Sequence, residues 1–144
     1  MYKPIDRQSN RRLLDWYNFR QQLETSNMPL EDVVLYFTAL PKTKFHTDPY
    51  DRATWPTPWE LVTENEYCPF NIVLGICYTL QLTTRYQNIS PMISICFDNI
   101  NKIVYYTLLI EDKVYGYMEN DWCNVSDLPK SLITQKIYVL DPIH

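Results

Sequence analysis

Cys68 is the residue of this chain best placed to do chemistry. It directly precedes Pro69, and residues 69–82 carry Phe70, Val73, Leu74, Cys77, Tyr78 and Leu80 at helical spacing. That pattern predicts a helix with proline in its first turn and the cysteine at its cap. A helix N-terminus favours a thiolate through its dipole and its free amides, and the same amides can hold a developing oxyanion. A thiol nucleophile also needs a base within hydrogen-bond reach. The sequence holds two histidines, His46 and His144. His46 lies in Lys44-Phe45-His46-Thr47-Asp48, where Asp48 is a possible orienter, so His46 is the candidate base. Taken alone, a cysteine and a loop histidine read more readily as an ordinary buried thiol and a loop contact.

Other chemistries are poorly served. The remaining cysteines, Cys77, Cys96 and Cys123, form no CxxC pair, and two histidines do not complete a zinc site. Reduced thiols are expected. Gly75 and Gly116 are the only glycines, so no phosphate-cradling loop or dinucleotide fingerprint exists. Glu111 and Asp112 with Glu119 and Asp121 lack EF-hand spacing. No metal and no cofactor is therefore predicted. Thirteen Lys and Arg against 17 Asp and Glu give a net charge of -4, which argues against an electrostatic nucleic-acid binder. No long apolar run and no leader pattern is visible, so neither secretion nor a membrane span is expected.

The elements that must position these residues change character along the chain. With 144 residues, 46% of them apolar, one domain with a real core is expected over 1–144. The helical half covers about 9–82. Residues 9–25 place Leu13, Trp16, Tyr17 and Leu23 at helical spacing, with Arg12 and Arg20 assigned to solvent. Residues 29–40 form a second helix, although Val33–Phe37 fits a strand equally well, and Pro41 stops it. Five prolines between 41 and 69 stiffen an irregular stretch, within which Thr57 caps a short helix opening at Pro58. Trp55 and Trp59 flank these prolines and are expected to be buried structural rings. Strands follow over about 92–140: Met92–Phe97, Lys102–Ile110, Val114–Met118 and 136–140. Helices followed by a meander argue an α+β fold, with the helices on one face of an antiparallel sheet of three to four strands.

Residues 48–82 resemble the bacterial transglutaminase-like cysteine proteinases. That family shows an aspartate, a tryptophan followed closely by Thr-Pro and Glu, then a Gly-Asp-Cys segment opening a long helix. Trp55, Thr57, Pro58, Glu60 and Cys68 match by type and spacing. The resemblance implies a transglutaminase- or papain-like core with Cys68 at the nucleophile position. It also implies a histidine on one strand of the meander and an aspartate on the next. Here Lys102–Ile110 offers Val104, Tyr105 and Tyr106, and Val114–Met118 offers Tyr115 and Tyr117. Gly-Asp is replaced by Glu66-Tyr67. The resemblance therefore implies a degenerate member that has lost its base.

The whole chain is also similar to small proteins of contractile-tailed marine bacteriophages. This implies a virion component or assembly factor near the neck or tail, found in the virion or the host cytoplasm. The expected function is a non-catalytic structural or adaptor role. Its partners would be other virion proteins, a host protein or a second copy, with Tyr105, Tyr106, Tyr115, Tyr117 and Trp122 as candidate interface anchors. Two alternatives stand beside it: a cysteine hydrolase or acyl transferase using Cys68 with His46, and an inhibitor of a host enzyme.

Overall fold

A computed structural model describes residues 7–26, 28–44, 47–118 and 121–141. Among these residues four α-helices come first: α1 (Arg7–Thr25), α2 (Leu30–Thr38), α3 (Pro58–Glu64) and α4 (Pro69–Gln81). Five strands follow: β1 (Met92–Asp98), β2 (Ile103–Ile110), β3 (Lys113–Tyr115), β4 (Trp122–Asn124) and β5 (Leu132–Val139). They form one antiparallel sheet in the order β4-β3-β2-β1-β5. The α+β architecture follows the expectation, but the sheet has five strands rather than three to four. The addition is β4, three residues too short to show a period. β3 stops at Tyr115 rather than Met118, and β5 starts at Leu132 rather than 136.

The core is organised around α4. Every residue from Phe70 to Gln81 except Tyr78 is buried, because one side of the helix meets β2 and the others meet α2 and α3. Such an element has no solvent stripe, which explains its nearly continuous apolar sequence. Gly75 allows the close approach of α2: a Cβ there would lie 2.5 Å from Phe37 Cε1. The polar demand of the Trp16 indole is met locally. Trp16 Nε1 of α1 donates to Thr79 Oγ1 at 2.9 Å, and Thr79 Oγ1 donates to the Gly75 carbonyl at 2.7 Å. Full burial of rings such as Trp16 and Phe37 contributes about 2–3 kcal/mol each.

Four side chains sit differently from the sequence reading. Tyr17, assigned to the apolar face of α1, is half exposed, and Phe19 packs inward instead, stacked on Tyr36 at 4.3 Å. Arg12 and Arg20, assigned to solvent, are partly buried. Arg12 donates to the carbonyls of Val62 and Thr63 at the end of α3, and the Arg20 guanidinium lies 4.4 Å from the Trp16 ring. Trp59 is 48% exposed rather than buried. It meets the Trp16 ring edge-on at 5.5 Å, so it covers the core from outside.

The meander is pinned by its turns. Asp98 Oδ1 accepts from the amides of Ile100 and Asn101, and Oδ2 accepts from Asn101 Nδ2. These bonds, led by that from the Asn101 amide, hold the carboxyl below its ordinary range. Gly116 follows β3 with φ of 106°, where its missing Cβ lets the Tyr106 carbonyl come close.

Candidate functional site

The segment that delivers Cys68 is held from several sides. Thr57 and Glu60 form a capping box at the start of α3: the Glu60 amide donates to Thr57 Oγ1 at 3.2 Å, and the Thr57 amide donates to Glu60 Oε1 at 3.0 Å. Pro58 takes the first helical position, where a missing N–H costs nothing. Thr57, Pro58 and Glu60 thus owe their spacing to helix initiation. Trp55 holds the preceding loop in place. Its Nε1 donates to the Asp48 carbonyl at 3.1 Å, and its ring packs on Phe70 and Tyr138 at 5.0 and 4.8 Å.

After α3 the chain turns through Asn65, in the left-handed region at φ 57°, and runs into Cys68. Thr43 donates its amide to the Tyr67 carbonyl, and Lys42 and Tyr67 form an isolated parallel bridge. From the other side, Asn71 Nδ2 donates to the Glu66 carbonyl at 2.9 Å. The sequence reading did not single out Asn71. Its signal is a polar residue in an otherwise apolar first turn, three positions after the cysteine. The side chain is fully buried, and its Oδ1 has no hydrogen-bond partner among the described residues.

Cys68 is the N-cap of α4, as the sequence predicts, and its carbonyl accepts from the Ile72 amide. The Cys68 side chain makes no cap hydrogen bond to the first amides of the helix. All four cysteines are free and buried, and Cys68 itself is 2% exposed. The thiol borders a small cavity of about 100 Å³ whose walls include Lys44, Thr47, Phe70 and Tyr106.

Tyr106, on β2, is the group that the fold brings to the thiol. Its ring meets Phe70 edge-on at 5.5 Å. Its phenol is pushed above the ordinary tyrosine range, first by burial and then by Tyr50, Cys68 and Asp48. A phenol raised in this way stays protonated at neutral pH and accepts no proton from a thiol. His46 and His144 lie outside the described residues, and so do Phe45 and Glu119. Among the described residues no three of His, Cys, Asp or Glu converge as metal ligands. No helix there is long and apolar enough to cross a membrane.

The five candidate anchors separate into two groups. Tyr115 and Trp122 are buried and belong to the core: their rings lie 5.8 Å apart, and Trp122 Nε1 donates to the Leu30 carbonyl at 3.2 Å. Both stand on the helix-facing side of the sheet, so neither serves as an anchor. Tyr105, Tyr106 and Tyr117 keep partial exposure, and Tyr105 and Tyr117 pack edge to face at 5.1 Å. A cleft of about 340 Å³ opens beside the thiol cavity and shares Pro69 and Tyr106 with it. Tyr67, Val104 and Tyr105 add to its walls, with Lys42 at its rim.

No family model and no curated protein matches this chain. Solved structures do. Legionella pneumophila LapG, a transglutaminase-like cysteine protease, superposes with a TM-score of 0.66 at 16% identity, over 95% of this chain and 77% of that one. Its EGTA-treated form gives 0.67 over 92% and 73%, and its calcium-bound form 0.64 over 95% and 77%, each at 16% identity. The chain therefore has the transglutaminase-like α+β fold, with Cys68 at the start of its central helix.

Proposed function

We propose that this chain is a non-catalytic version of the transglutaminase-like fold that acts by holding another protein. In its narrower form, the reading makes it a structural or adaptor component of a bacteriophage particle, near the neck or tail. One observation carries the non-catalytic part: the strand residue beside Cys68 is Tyr106, a partly buried neutral phenol where a cysteine nucleophile needs a base. The whole-chain resemblance to small phage proteins supports the narrower form. Partly exposed Tyr105 and Tyr117 supply surface of the type that anchors protein contacts.

Iodoacetamide labelling at neutral pH tests this, comparing wild type with Cys68→Ser, alongside peptide and ester turnover. Slow labelling at Cys68 with no turnover is the expected result. Rapid Cys68-dependent labelling with turnover overturns it. Mass spectrometry of purified particles tests the phage assignment separately. A second reading, a cysteine hydrolase, is favoured by the position of Cys68 at the start of α4. It requires His46 to reach the thiol, so His46→Ala would abolish any turnover found.

A further inference from the structure

β2 has two edges with unequal cover. On one side it pairs with β1 from Ile103 through Leu109. On the other it pairs with β3 only over Leu108–Ile110. The uncovered stretch begins at Ile103 and reaches Tyr106, where Gly116 passes close to the carbonyl: an added Cβ on Gly116 would lie 2.0 Å from Tyr106 O. That carbonyl is thus turned away from β1. Main-chain direction alternates along an antiparallel strand, so Val104 also turns its N–H and C=O outward. No main-chain partner for Val104 exists on that side among the described residues. Ile103 and Val104 are each 47% exposed.

The open edge borders the 340 Å³ cleft, which supplies apolar walls for alternate side chains. Charge narrows what fits. Among the described residues, Lys42 at the cleft rim, whose Nζ also donates to the Thr38 carbonyl, and Lys44 at the adjoining cavity are the charged residues of the two linings, and neither lining contains a carboxylate. This local excess of positive charge stands out on a chain of net charge -4. Asp48 lies near Tyr106, but its Oδ1 accepts from the Tyr50 amide.

We infer that the uncovered edge of β2 at Val104 is a docking strand for an extended segment of a partner protein, one that alternates apolar residues with an aspartate or glutamate placed at Lys42. The peptide adds to the sheet through main-chain hydrogen bonds, sets its apolar side chains in the cleft, and pairs its carboxylate with the lysine at the rim. The assignment rests on the proposal that the chain acts by binding a protein, and it names the chemistry of that partner.

The test selects peptides from a random display library on the full chain, then measures binding of the synthetic winners by fluorescence anisotropy. Winners should alternate apolar positions and carry a carboxylate. N-methylation of the amide that faces Val104 should weaken binding about tenfold or more, as a lost main-chain bond and a steric block require. Lys42→Glu should weaken acidic winners to a similar degree and shift the selection toward basic peptides. Val104→Pro removes the outward N–H and should abolish selection at this edge. Should that variant unfold, the Lys42→Glu and N-methyl results decide alone. Failure to select peptides, or winners indifferent to both N-methylation and Lys42→Glu, overturns the assignment. Cleavage of a bound winner leaves the docking strand standing and refutes the non-catalytic reading instead.

Discussion

Gly116→Ala is a sharp test of how the sheet is closed beside the thiol. Two effects oppose the substitution. Gly116 has φ of 106°, which an L side chain adopts at a cost of about 1–2 kcal/mol. The new Cβ would also fall 2.0 Å from the Tyr106 oxygen, 3.0 Å from its carbonyl carbon and 3.1 Å from Thr107 Cα. All three are backbone atoms of a strand paired to β1, so no rotamer change relieves the clash. Overpacking of this kind costs about 1–3 kcal/mol, and alanine's smaller unfolded-state entropy returns roughly 0.4–1 kcal/mol. The net loss is about 2–4 kcal/mol. A domain of this size loses about 3 °C of Tm per kcal/mol, so Tm should fall by roughly 6–12 °C in a circular-dichroism melt. A Tm within about 2 °C of wild type would refute the close approach. Gly75→Ala is the milder comparison. Its Cβ would meet the buried Phe37 ring, but a helix interior gains about 1 kcal/mol from alanine, so roughly 0–2 kcal/mol should be lost.

Three further outcomes follow from the packing and capping. Thr79→Val leaves Trp16 Nε1 buried without an acceptor and should cost about 1–3 kcal/mol in urea unfolding. Combining it with Trp16→Phe should recover part of the hydrogen-bond loss as a non-additive term, whereas strict additivity would count against the bond. Trp59→Ala should be milder than Trp55→Ala, about 1–2 against 2–4 kcal/mol, because one ring is half exposed and the other is wedged between Phe70 and Tyr138; equal losses would contradict this. The bonds to Thr57 hold the Glu60 carboxyl below its ordinary value of 4.5. Its contribution to α3 is therefore fully present above that value and lost as pH falls through the depressed one. Glu60→Gln should remove this acid-side component from a stability–pH curve, and an unchanged acid limb would argue against the cap.

Where the sequence misleads, particular residues explain why. The helix from Pro69 and the strands flanking Asp98 are legible because buried elements carry dense apolar runs and the turn between them carries Asp and Asn. β5 is legible only in its second half, because Thr134-Gln135-Lys136 breaks the alternation at a register shift opposite Ile95 and Cys96. Such a bulge moves side chains to the other face without any local composition signal. Tyr115 and Trp122 look like surface anchors until register is known. Opposite Leu108 and each other, they share the helix-facing side of the sheet. Of the site, the position of Cys68 is legible from Pro69 and the apolar spacing that follows it. Its pairing with Tyr106 is not, since no local pattern says which strand residue meets the first turn of α4. The helix start at Thr57 and Pro58 is legible as a cap, while the reciprocal bond from Glu60 that completes the box shows only in the structure.

The placement of β5 beside β1 also sets the order in which the molecule can assemble. β1 and β2 are joined by a short turn and can meet early. The other edge of β1 pairs with residues far along the chain, Met92 with Val139, and Leu140 donates its amide to the Pro91 carbonyl. Closing that distance means ordering the β2–β3–β4 segment first, so the second seam of the central strand is a late, entropy-limited step. Until it forms, β1 presents an unpaired edge carrying Ile93 and Ile95, two of the most buried residues of the native state. That interval is when a neighbouring chain can compete for the edge. Refolding yield should therefore fall with protein concentration even when the native fold is stable.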